Sequence, residues 1–136
     1  MQIKINDESP TPIYEQLRNQ IVIEMASGAV ESGKQLPSTR KLGSELGVNF
    51  HTVNKAYAML AREGYISLDG RKGAVVKVER REEFLPELRQ KMQLVAAEAV
   101  LNGIDENAFT ALCAQSYFGA SGIVKESHVL VMEDYN

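Results

Sequence analysis

The chain has 136 residues, 44% hydrophobic and 24% charged. That balance excludes a disordered or low-complexity protein and allows one ordinary domain, or a small domain with an appendage. No apolar run approaches the ~18 residues of a membrane span, and residues 1–6 show no signal-peptide pattern, so a cytoplasmic protein without membrane contact is expected. The formal net charge of −3 sits badly with a polyanionic partner until its distribution is read: residues 34–81 hold ten lysines and arginines against four carboxylates, and residues 82–136 three against nine. A basic middle is what neutralising phosphates requires, although an unevenly charged solvated surface would look the same by charge alone.

In chain order, residues 1–9 read as a short extended lead-in. Thr11-Pro12 is a helix start with Pro12 at the first helical position and Glu15 near the positive end of the dipole. Ile13, Leu17, Ile21 and Met25 recur on one face, with Tyr14 and Val22 beside them, and Gly28 stops the helix. Residues 33–38 read as a loop, and Ser38 caps a short second helix whose apolar side is Leu42 and Leu46. Gly47 ends it, and Val48 plugs a tight turn. Asn49 then caps a third helix that turns Val53, Ala56, Tyr57 and Leu60 inward. Two short helices joined by a glycine-containing turn form the helix-turn-helix pattern. The outward positions of the third helix (Phe50, His51, Thr52, Asn54, Lys55 and Arg62) include groups that donate and accept at base edges, where a merely solvated face would carry more Glu and Lys. Phe50 either touches a thymine methyl or folds back onto the domain.

Residues 65–68 and 74–78 are strand-like and flank Asp69-Gly70-Arg71-Lys72-Gly73, which reads as a hairpin with a five-residue loop and two cations at its tip. A hairpin placed there is a wing, able to reach the minor groove or phosphates. Arg80-Arg81 is either phosphate-facing or, on the reading favoured here, a polar hinge. Beyond it Leu85, Leu88, Met92, Val95 and Ala99 are spaced 3, 4, 3, 4 and make the seam of a fourth helix starting near 82–84. This seam is either core against the first module or, on the reading favoured here, a dimer interface, because three helices and a hairpin already supply that module's core. Gly103 ends the fourth helix, and Asp105 caps a short fifth one carrying Phe109, Leu112 and Cys113. Residues 119–122 read as a linker, and 128–132 as a short strand or docked tail. Cys113 is expected to be a buried core thiol. With His51 and His128 it has no metal-ligand spacing, so no metal or cofactor is expected.

The fold class is therefore α+β, mostly α: a winged helix-turn-helix domain over residues 1–80 and a small helical dimerisation region over 81–136. Pro12-Ile13-Tyr14-Glu15-Gln16-Leu17, Gly33-x-x-Leu36-Pro37-Ser38-x-Arg40-x-Leu42, Gly47-Val48, Thr52-Val53-x-x-Ala56-Tyr57-x-x-Leu60 and Glu63-Gly64-Tyr65-Ile66 together resemble the DNA-binding domain of the GntR family. The tail, with Glu83-Phe84-Leu85 opening a long helix and a shorter one after Asn102-Gly103-Ile104, is similar to the YtrA subfamily. The resemblance implies a homodimeric transcription regulator, usually a repressor, binding an inverted-repeat double-stranded DNA operator in a bacterial cytoplasm. It also implies that Arg40 contacts bases or backbone. Where the family often carries Ser-Arg after the turn valine, this chain has Asn49-Phe50, and its wing has Gly70-Arg71-Lys72-Gly73-Ala74 in place of Gly-x-Gly-Thr.

The expected DNA-contacting set is Ser38, Thr39, Arg40, Asn49, Phe50, His51, Thr52, Asn54, Lys55, Gly70, Arg71 and Lys72, and the expected dimerisation set is Leu85, Leu88, Met92, Val95 and Ala99. An unidentified small-molecule effector is left open. Two other classes compete. Some relatives carry a pyridoxal-phosphate enzyme domain after this module, but the residues that follow the wing here are too few for one, so no enzyme is expected. A winged helix used only for protein–protein contact is the alternative, which the polar, cationic third helix and wing tip disfavour.

Overall fold

The computed structural model describes residues 1–122. The chain divides into two units, residues 1–79 and 80–136.

In the first unit α1 (Ile13–Ala26), α2 (Thr39–Leu46) and α3 (Phe50–Arg62) precede a hairpin of β1 (Ile66–Asp69) and β2 (Gly73–Val76). The apolar periodicity reads out directly as burial. Leu17 and Ile21 of α1 meet Leu42 of α2, Val53, Ala56, Tyr57 and Leu60 of α3, and Ile66, Ala74 and Val76 of the hairpin in one core. Ser38 and Asn49 cap α2 and α3 through their side-chain oxygens, which accept from the Lys41 and His51 amides at 3.1 and 2.9 Å. Gly47 closes α2 in the left-handed region at φ 69°.

Three local expectations change. Pro12 is the cap of α1, not its first helical residue: its ψ is 149° while its carbonyl already accepts from Glu15 and Gln16 at 3.0 Å. The expected five-residue wing loop is tighter, because pairing continues to Asp69↔Gly73 and leaves residues 70–72 as the turn. Gly73, at φ 71°, takes the left-handed conformation with which the chain leaves the turn and enters β2. Residues 33–36, read as loop, lie along β2 instead: the Gly33 and Leu36 amides donate to Val76 and Ala74 carbonyls at 2.8 Å, and the Val76 amide donates to Lys34 O at 2.9 Å. The open edge of β2 is thereby paired.

Contacts remote in sequence complete this unit. Residues 3–6 are tied to α1 by two glutamines one turn apart: the Lys4 and Asn6 amides donate to Gln20 Oε1 and Gln16 Oε1 at 2.8 and 2.9 Å. The same side chains return an N–H to the carbonyls of Lys4 and Asn6. Each glutamine amide thus serves the backbone as a neighbouring strand would, and Ile3 and Ile5 pack on the core. Gly43 lies inside α2, where a Cβ would come within 2.8 Å of Val48 O and 3.3 Å of Phe50 Cα, so only glycine lets the turn close against the helix.

In the second unit α4 (Phe84–Leu101) and α5 (Glu106–Ala120) are joined at Gly103, with Asp105 accepting from the Ala108 amide at 2.8 Å as the cap of α5. The fifth helix is not short: its 15 residues take in Gly119 and Ala120, read from sequence as linker. It stops when the Ser121 and Gly122 amides turn back to Tyr117 and Gly119 carbonyls and Gly122 reaches φ 81°. Cys113 is partly buried rather than fully buried. The reading of residues 128–132 lies outside the described residues. Among the described residues, no helix is long and apolar enough to cross a membrane and no group of His, Cys, Asp or Glu could hold a metal.

Candidate nucleic-acid interface

The helix-turn-helix brings the amino ends of α2 and α3 side by side, and the hairpin sets the wing next to them. Two shallow depressions mark this surface. One, of about 380 Å³, runs from Gln35, Ser38 and Thr39 past Asn54 of α3 to Asp69 and Gly70 of the wing. The other, of about 310 Å³, is lined by Arg40, Ser44, Val48, Asn49 and Phe50. Seven of the twelve expected contact residues therefore gather round two adjoining hollows. Arg71 and Lys72 project from the exposed wing tip. His51 is exposed and Thr52 half-buried on the first turn of α3.

Local chemistry holds each part in place. Asp69 Oδ1 accepts from the Arg71 and Lys72 amides at 2.8 and 3.3 Å, which fixes the tip. These bonds hold its carboxyl below the usual aspartate range. Tyr57 donates its hydroxyl to Pro37 O at 2.7 Å and so pins the entry to α2 immediately before Ser38. Its burial pushes the phenol well above its ordinary value. At the far end of α3, Arg18 donates to both carboxylate oxygens of Glu63 at 3.0 and 2.6 Å while lying over the Tyr65 ring, and the Glu63 contact raises its pKa. This pair ties the last turn of α3 to α1.

Two expected contact residues have partners that sequence spacing did not reveal. Phe50 folds back onto the domain: its ring centroid lies 4.1 Å from that of His51, and the Arg40 guanidinium sits 4.1 Å above it. Lys55 directs its ammonium to the Tyr14 ring at 4.0 Å, toward α1. Gln35 and Ser44 line the hollows and were missed. Ser44 was discoverable, since it stands one helical turn after Arg40 on the same exposed side. Gln35 was not, because its position follows from pairing with β2.

On α4 no residue is buried. Leu85, Leu88, Met92 and Val95 remain 54, 38, 39 and 48% exposed, and Ala99 is half-buried. Leu94, Val100 and Leu101 add apolar surface off that seam.

Three helices with a paired hairpin beside the third define a winged helix-turn-helix protein. The profile of the bacterial regulatory proteins of the gntR family matches residues 12–76. A solved structure, YtrA from Sulfolobus acidocaldarius, described as a GntR-family transcription factor, is 41% identical with a TM-score of 0.61, covering 73% of this chain and 97% of that one. The chain belongs to the GntR family. A transcriptional antiterminator from Listeria monocytogenes EGD-e superposes with a TM-score of 0.83 at 27% identity, over 92% of this chain and 96% of that one. The HTH-type transcriptional repressor YtrA of Bacillus subtilis is 44% identical over 70 residues, which take in 51% of this chain and 54% of that repressor. The chain thus spans about half the length of that curated relative.

Proposed function

We propose that this chain is a sequence-specific DNA-binding transcription regulator, a repressor, that acts in the cytoplasm as a homodimer on an inverted-repeat operator and carries no enzymatic activity. The observation that carries the reading is the surface shared by the amino ends of α2 and α3 and the wing, where Ser38, Thr39, Arg40 and Asn54 line hollows that reach the wing at Asp69 and Gly70, next in sequence to the exposed cations Arg71 and Lys72. Hydroxyls at helix amino ends suit phosphate oxygens, which set register. A guanidinium and a carboxamide suit guanine and adenine edges in the major groove. Arg71 and Lys72 suit the minor groove or its phosphates. The dimer rests on the seam of Leu85, Leu88, Met92, Val95 and Ala99, largely open in a single chain. Two copies would set two α3 helices about one helical turn apart, ~34 Å.

Selection of bound duplexes from a random pool tests this with the full chain. Enriched inverted repeats, with affinity falling steeply as salt rises, are the expected result. Failure to enrich any sequence at low ionic strength would sink the reading. Arg40→Ala should cost about 1–3 kcal/mol of specific binding, measured by fluorescence anisotropy on the selected site.

A further inference from the structure

Gln115 of α5 is 5% exposed, a buried polar side chain in a unit whose other helix, α4, buries no residue. Its Oε1 and Nε2 are both shut off from water, and among the described residues neither has a hydrogen-bond partner. Folded proteins rarely leave such groups unanswered, because the bonds given up to water are not replaced. With both ends of the amide open, the group that answers it must donate and accept together.

Ala108, Leu112 and Gln115 are spaced 4 and 3 and share one face of α5. Ala108 and Leu112 carry no polar side-chain atom. The α4 seam has no side-chain N–H or O–H and, at Met92, only a weakly accepting sulfur. Backbone groups in the interior turns of both helices are taken up by the helices themselves. When these faces meet a second copy, the side chain on them that both donates and accepts is Gln115 of the partner subunit. Carboxamides are self-complementary, since an N–H of each meets the oxygen of the other. In an isologous interface a residue meets its own counterpart beside the two-fold axis.

Resting on the homodimer reading above, we propose that Gln115 pairs with Gln115 of the partner subunit beside the dimer axis and so fixes the register in which two apolar second units associate. Apolar stripes slide past one another at little cost, whereas a buried amide pair bonds in one register. Reaching the second copy takes a shift of side chain or helix, which α4, with no buried residue to anchor it, does little to resist.

Sedimentation equilibrium of the full chain comes first and should show a dimer. Isotope-filtered NMR on dimers mixed from differently labelled chains then reads the pair with no substitution. The Gln115 side-chain N–H protons of one copy should give a cross-peak to the Gln115 Cγ protons of the other. Gln115→Glu and Gln115→Lys should each raise the dimer dissociation constant about a hundredfold or more at neutral pH, because each sets like charges face to face. An equimolar mixture of the two should regain a dimer holding one chain of each, seen by native mass spectrometry. A parent dimer with no cross-peak between the two Gln115 side chains would overturn the pairing and leave the homodimer standing. Charged variants that fold but prefer each other no more than themselves would do the same. If those variants fail to fold, the cross-peak in the parent decides. A parent that stays monomeric at every concentration would instead overturn the homodimer reading on which the pairing stands.

Discussion

In α1, Leu17 and Ile21 are fully buried, whereas in α4 the similarly spaced Leu85, Leu88, Met92 and Val95 stay 38–54% exposed. Both helices carry an apolar stripe at a helical period, and the period alone does not say what the stripe meets. In residues 1–79 the stripe of α1 closes against α3, and α2 and the hairpin complete a core that needs nothing else. In α4 no residue is buried, although the helix is longer. A self-sufficient unit and one that leaves its stripe open should respond differently to the same kind of mutation, and that difference can be measured.

The largest effect is expected from Leu60→Ala, which removes a fully buried side chain where α3 meets the core. It should cost about 3–5 kcal/mol in denaturant unfolding, independent of protein concentration. Leu88→Ala should change the unfolding of residues 1–79 by less than ~0.5 kcal/mol, as surface substitutions do. It should weaken self-association in sedimentation equilibrium. If Leu88→Ala destabilised the chain as strongly at high dilution as Leu60→Ala does, the seam would be internal core and the contrast would collapse.

Gly43→Ala sharpens the contrast from within the first unit. Alanine gains about 0.5–1 kcal/mol as a helix former. Against that stands overpacking of about 1–3 kcal/mol where its Cβ would press on the rigid Val48 carbonyl at 2.8 Å. Net destabilisation is expected, read as a lower melting temperature, and a rise would show that the turn relaxes freely. Tyr57→Phe should cost about 1 kcal/mol, since the Pro37 carbonyl loses its donor. Equal stability of this variant and the parent would mean that water replaces the phenol.

The smallest effect concerns pH. Asp69 and Glu87 both have lowered carboxyl pKa values, Asp69 through the Arg71 and Lys72 amides and Glu87 through Arg81 at 3.0 Å. A group depressed by folding contributes stability above its unfolded pKa and loses it as pH falls through the folded value. One such group lies in each unit, so a carboxyl-detected NMR titration should find both protonating below the ordinary range. An ordinary value at Asp69 would show that the wing turn is not held by its side chain.

The residues that carry local instructions were legible in the sequence: Ser38, Asn49 and Asp105 as caps, Gly47 and Gly103 as stops, and the inward faces of α1 and α3. The candidate contact surface was legible only as a set of residue types on particular elements, since capping rules and helical period placed Arg40 on α2, Asn49 at the cap of α3 and Asn54 on α3. The stack of Arg40 on Phe50 was not, because it joins two helices whose crossing no spacing records. Gly119 and Ala120 misled because two small residues read as linker, although nothing in them stops a helix before Ser121.

From its residues alone the chain declared the order of helices and hairpin, the winged helix-turn-helix and the family, because periodicity, capping and turn chemistry act over a few positions and leave a local imprint. Tertiary structure decided the pairing of residues 33–36 along β2, the clasp of Gln16 and Gln20 on the leading strand, and the need for glycine at 43. It also decided which apolar stripe is consumed and which stays open. Those outcomes depend on hydrogen bonds and contacts between segments far apart in sequence, whose partners exist only once the helices have packed.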